Sequence, residues 1–133
     1  MKDILHAFAL GGFSDLFIDA LQYAGELSYN ILGAAFIGGN RDILDACCDR
    51  CASCITPFII ISYAVRCGRC EHSCLLARDL IIAKYGTFTV DNATEMLFMA
   101  AGSGNCGVAR IAIAWGARDF KEARRIAIGR GHA

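Results

Sequence analysis

Eight cysteines in 133 residues are the side chains best suited to chemistry in this chain, and their spacing is that of metal ligands. Cys51-x-x-Cys54 and Cys67-x-x-Cys70 are separated by 12 residues, with Cys47, Cys48, His72 and Cys74 close by. Taken alone, two such pairs describe a four-thiolate zinc site. Cys48-x-x-Cys51-x-x-Cys54 and Cys67-x-x-Cys70-x-x-x-Cys74 also approach iron–sulfur spacing, but neither completes a four-ligand set with a following proline. The segment between the pairs decides against a shared zinc. Residues 57–66 carry an apolar helical pattern, and about ten helical residues hold the two pairs about 15 Å apart, whereas the ligands of one zinc lie about 2.3 Å from it. A helix and a shared site exclude each other, and the helix is preferred because its pattern recurs along the chain.

The thiols that remain gather at one turn, where Cys67, Cys70, His72 and Cys74 form the metal or redox alternative and Cys70 and Cys74 share a helix face at i, i+4. Cys47 and Cys48 read as small core hydrophobes. Cys106 matches Cys70 in register, and neighbouring helices pack about 8–10 Å apart, beyond the limit of about 7 Å between the α-carbons of a disulfide. No catalytic constellation emerges: His6 lies in a helix, His72 in the thiol-rich turn, and His132 in a turn position. Asp15, Asp19, Asp42 and Asp45 read as a solvated face. Gly11-Gly12 and Gly38-Gly39 precede helices without the Lys-Ser/Thr of a phosphate loop. The expectation is a chain that is not an enzyme and carries no cofactor and no metal.

The elements that would position these residues follow from a phrase that recurs five times: a small-residue pair, then Gly, then a polar or aromatic residue. It reads Phe8-Ala9-Leu10-Gly11-Gly12-Phe13, Ala35-Phe36-Ile37-Gly38-Gly39-Asn40, Ala64-Val65-Arg66-Cys67-Gly68-Arg69, Ala100-Ala101-Gly102-Ser103-Gly104-Asn105 and Ala127-Ile128-Gly129-Arg130-Gly131-His132. Repetition at this period signals a stacked helical array. Seven and eight residues before the anchoring glycines stand Ile4/Leu5, Ile31/Leu32, Ile60/Ile61 and Met96/Leu97; with the pair three and four before, they form one helix face. A second apolar set follows each turn, as in Leu16/Phe17 with Ala20/Leu21, Ile43/Leu44 with Cys47/Cys48, and Val108/Ala109 with Ala112/Ile113. Asp15, Asp42 and Glu71 stand three residues after the Gly, where a first-turn carboxylate favours the helix dipole. The unit is helix, Gly turn, helix, closing loop. Between Gly68 and Tyr85-Gly86 the third unit is longer, which predicts a longer second helix or an insertion. Thr56 with Pro57 reads as a helix start, as does Asn92 or Thr94, and residues 87–90 have strand-like composition.

The fourth unit, Glu95-Met96-Leu97-Phe98-Met99-Ala100-Ala101-Gly102-Ser103-Gly104-Asn105 followed by Val108 to Trp115-Gly116-Ala117, resembles an ankyrin repeat in its Ala-Ala-x-x-Gly-polar turn, apolar second helix and terminal Gly-Ala. Lacking the Thr-Pro-Leu-His opening, it is similar to the degenerate ankyrin repeats abundant in large DNA viruses. The resemblance implies an all-α, ankyrin-like solenoid of about four and a half units in one domain, 1–133, with units near 1–27, 28–54, 55–90, 91–117 and a partial 118–133. It implies a module that binds another protein through loop tips and the inner face of the first helices. Tyr29, Asn30, Arg118 and Asp119 are the candidate contacts; Phe88 and Phe120 read as seals between units.

Composition sets the remaining bounds. Thirteen basic and thirteen acidic residues leave no sequence-wide field to attract nucleic acid or an anionic membrane. The chain is 56% hydrophobic, yet its longest apolar stretch, Pro57 to Val65, falls far short of the roughly 20 residues of a spanning helix. With Asp3 in place of a basic start, the amino terminus does not read as a secretory signal. The expected setting is intracellular, in the cytoplasm of a host cell or in a virion if the chain is viral. Phe120 to Ile128 with the turn at Gly131 reads as half a unit, which predicts self-association or capping through the carboxy-terminal end. A structural subunit of a larger assembly is the third reading.

Overall fold

Four of the five recurring glycines close a helix in a backbone conformation that is costly for residues with a Cβ. In the computed structural model, which describes residues 2–23, 30–50 and 55–131, Gly12, Gly39, Gly104 and Gly131 have φ of 70, 69, 72 and 78°. This is the left-handed region that ends helices at little cost only for glycine. Tyr29, Cys51, Cys54 and His132 lie outside the described residues, and of Asn30 only the backbone is described.

The described residues form nine helices and no strand. They are α1 (Lys2–Gly11), α2 (Ser14–Leu21), α3 (Asn30–Gly38), α4 (Arg41–Arg50), α5 (Pro57–Tyr63), α6 (Glu71–Tyr85), α7 (Val90–Ser103), α8 (Cys106–Ala114) and α9 (Phe120–Gly129). The all-α class expected from the sequence holds. In one row α1, α3, α5, α7 and α9 succeed one another; in the other α2, α4, α6 and α8 do, and the turns at Gly12, Gly39 and Gly104 each join a helix of the first row to one of the second. At least one member of each apolar pair faces inward, so that Leu5, Leu32, Ile60, Ile61, Met96, Phe17, Ile43, Leu44 and Val108 are buried in one core. At roughly 1.5–3 kcal/mol per large apolar side chain removed from water, this core is the main favourable term. Within the first row α1 and α3 approach closely, and a Cβ on Gly38 would collide with the Ala9 carbonyl oxygen.

The third pair departs from the others at its turn. A π-helical turn, Ala64–Gly68, continues α5, and its ring closes from the Arg69 N–H to the Ala64 carbonyl at 2.9 Å. This turn holds one residue more than an α-helical one, and so the left-handed residue is Arg69, with φ 57°, in place of Gly68. The register shifts by one: Asn105 corresponds to Cys70, and the equivalence of Cys106 with Cys70 falls. Of the two expectations for the long third unit, the longer second helix is the one found, α6 having 15 residues against eight to ten in α2, α4 and α8. Lys84 Nζ on Asp49 Oδ1 at 2.8 Å and the Tyr85 hydroxyl on the Ile55 carbonyl at 2.7 Å fasten its far end.

Local side chains set the helix starts. Thr56 Oγ1 accepts from the Ile59 N–H at 3.3 Å, with Pro57 at the first position as expected. The strand-like residues 87–90 form no strand. Thr89 caps α7, accepting from the Asn92 N–H at 3.1 Å while Asn92 Oδ1 accepts from the Thr89 N–H at 3.0 Å, a reciprocal pairing that captures these residues for the helix. Thr94 is not a cap: its hydroxyl donates to the Val90 carbonyl at 2.9 Å and accepts from the Arg118 N–H at 3.0 Å.

Candidate interaction surface

The thiols do not converge. Cys74 is buried within the core, Cys70 is exposed at the start of α6, and Cys67 is half-buried. Cys70 stands at the helix cap, one turn before the buried Cys74. His72 is engaged elsewhere, its Nε2–H donating to the Gly39 carbonyl at 3.1 Å. Among the described residues no group of three or more His, Cys, Asp or Glu side chains is placed to hold a metal. Burial first, then the neighbouring Cys70, push the Cys74 thiol up to about 11, against a Ser73 hydrogen bond that lowers it. A thiol that holds its proton so firmly is a poor nucleophile at neutral pH.

The turns carry a hydrogen-bond ladder that spacing alone left hidden. The carbonyls of three left-handed residues accept from a side chain of the following pair: Asn40 Nδ2 to Gly12 at 3.4 Å, His72 Nε2 to Gly39 at 3.1 Å, and Asn105 Nδ2 to Arg69 at 3.2 Å. Asn40 and Asn105 also cap α4 and α8, their Oδ1 atoms accepting from the Ile43 and Val108 N–H groups at 3.1 and 3.0 Å. At the corresponding position Cys70 has no amide to offer, and His72, two residues on, supplies the donor. Buried Ser73 completes this turn: its Oγ accepts from the Cys70 N–H at 3.2 Å and lies within reach of the Ala64 and Cys70 carbonyls at 3.2 and 2.8 Å.

The opposite edge, where second helices lead into first helices, holds Arg118 and Asp119. Both are exposed. Asp119 has φ 64° and begins α9 without a side-chain capping bond, so its carboxylate is not drawn into the helix end. Beside them the chain's single tryptophan, Trp115, meets Phe88 edge to face at 5.7 Å between ring centroids. The Arg78 guanidinium lies 4.6 Å above the same indole, a cation–π contact worth about 0.5–2 kcal/mol. Arg78, Ile82, Gly86, Thr87, Phe88 and Trp115 line a cleft of about 320 Å³. These lining side chains offer a cation, two rings and a hydroxyl. Arg118 and Asp119 are exposed together on this edge, and Phe88 packs on Trp115. Arg78 and Trp115 were missed, although a lone tryptophan at a unit's end was a signal that could have found them.

Among the described residues no helix is long and apolar enough to cross a membrane. No family model, curated protein or solved structure matches the chain.

Proposed function

We propose that the chain is an array of ankyrin-like helix pairs that binds another protein and catalyses no reaction. The observation that supports this best is the turn ladder: one left-handed residue, one capping position and one hydrogen bond to the following pair recur at Gly12, Gly39 and Arg69. Recurrence of the same long-range bond is what stacked repeats require, and arrays of this kind present loop edges to their partners. The edge of Arg78, Phe88, Trp115, Arg118 and Asp119 is the proposed contact surface. A reducing, cytoplasmic setting, viral or cellular, goes with this reading.

Co-purification from the native source with the tagged 133-residue chain tests it. Arg118→Glu and Asp119→Lys alter exposed side chains and leave the core intact. A partner held by the wild-type chain and lost about tenfold or more on Arg118→Glu supports the surface, since interface arginines often carry more than 1 kcal/mol. A partner retained equally by both variants overturns it.

A further inference from the structure

The two ends of the helix rows expose apolar side chains at register positions that the interior pairs bury. In the first helices Ile4 corresponds to Ile31, Ile60 and Met96; it is 49% exposed and they are buried. In the second helices Leu16 corresponds to Ile43 and Val108; it is 52% exposed and they are buried. At the other end the pattern inverts. Ile113 is 47% exposed where Leu21 and Cys48 are buried, and Ile128 is 53% exposed where Ala9 and Phe36 are buried. The inversion has a geometric source, because one set of positions faces the preceding pair and the other faces the following pair. Beside Ile113, Phe120 and Arg124 help line an apolar groove of about 270 Å³ formed by α7, α8 and α9.

Charge divides along the same axis. Residues 1–50 carry three basic and seven acidic side chains, residues 51–95 four and four, and residues 96–133 six and two. Asp15 and Asp19 stand next to Leu16 and Ile18, and Arg124 lies in the groove beside Ile113. None of Asp15, Asp19 and Arg124 makes an ion pair among the described residues.

We propose that the chain associates head to tail with a second copy, the acidic apolar face of Ile4 and Leu16 on one copy seated against the basic apolar face of Ile113, Phe120 and Ile128 on the other. The inference rests on the stacked-pair reading above and names a second copy as a partner. The docked face would bury Ile4 and Leu16 as their equivalents are buried inside the array. Such a contact is heterologous, so each added copy leaves one face of each kind open and growth continues unless the rotation closes a ring. The opposed charges attract most at low salt.

Light scattering and sedimentation of the full 133-residue chain test it, with Leu16→Lys to set a base against the basic face and Ile113→Asp to set an acid against the acidic one. Both residues are already about half exposed, and far-UV circular dichroism verifies that each variant keeps the wild-type helical spectrum. The expected wild-type mass rises with protein concentration and falls with added salt. Each variant alone runs as a monomer, and an equimolar mixture associates again because each supplies the face that the other lacks. A concentration-independent wild-type monomer leaves both faces to some other occupant and overturns the proposal, while its helical spectrum leaves the stacked-pair reading standing. Association of either variant by itself also overturns it, since that requires like faces to pair. A non-helical wild-type spectrum overturns the stacked-pair reading and this inference with it.

Discussion

Cys74 is enclosed by α6 and its neighbours, and its thiol titrates near 11 in place of 9.0, chiefly because burial penalises the thiolate. A group whose proton is held more tightly in the folded chain than in the unfolded one contributes in full below pH 9, and that contribution is lost as the pH climbs toward 11. Lys84, bonded to Asp49, and Tyr85, desolvated, are shifted upward too and add to the same alkaline loss. The melting temperature is therefore expected to fall across this window, and to fall less steeply in Cys74→Ala. At neutral pH iodoacetamide should label exposed Cys70 and Cys106 and spare Cys74, as read by mass spectrometry of intact and digested protein; labelling of Cys74 at the rate of Cys70 would refute its enclosure. The dispersal of Cys67, Cys70, His72 and Cys74 carries its own expectation: a strong chelator leaves the melting temperature unchanged, whereas bound metal whose removal unfolds the chain would restore the zinc reading.

The helix pairs depend on close approach at some glycines and not at others. Gly38→Ala would force a Cβ into the Ala9 carbonyl, a backbone atom that cannot step aside, and the expected loss is about 1–3 kcal/mol. Gly102, inside α7, would set its Cβ 3.7 Å from Ile126 Cγ2 in ordinary contact, so Gly102→Ala should stabilise by up to about 1 kcal/mol through helix propensity. Urea denaturation of the two variants measures both; equal effects would contradict the packing of α1 on α3. The π-helical turn is held the same way, by specific atoms. Ser73→Ala removes the acceptor for the Cys70 N–H and a donor to the turn's carbonyls, with an expected loss of about 1–3 kcal/mol. Spacing could find the glycine phrase because turn, cap and helix face are set within a few residues of chain. It put the third turn at Gly68 because the extra residue of the turn changes no local pattern.

Across the whole molecule each helix meets its neighbours in the two rows, and protection should follow that order. Amide exchange is expected to be slowest in α5, α6 and α7, which have stacked neighbours on both sides, and fastest in α1, α2 and α9, which have them on one side. Mass-resolved exchange at neutral pH reads this directly. Uniform protection from α1 to α9 would mean that the ends are covered, as in an assembly already formed at the concentration measured.

By itself the sequence determined the all-helical class, the turn at Gly12, Gly39 and Gly104, the core positions Leu32, Ile61 and Leu97, and the exposure of Arg118 and Asp119 on a loop edge. These follow from helix periodicity and from glycine's access to positive φ, properties that act over one or two turns of chain. Only the tertiary structure decided that His72 stands in for an asparagine 33 residues from its carbonyl partner, that Arg78 covers Trp115, and that Ile4 is exposed where Ile31 is buried. Each of those depends on which side chains the stacking of helix pairs brings together, and local propensity is the same at an end of the rows as in their middle.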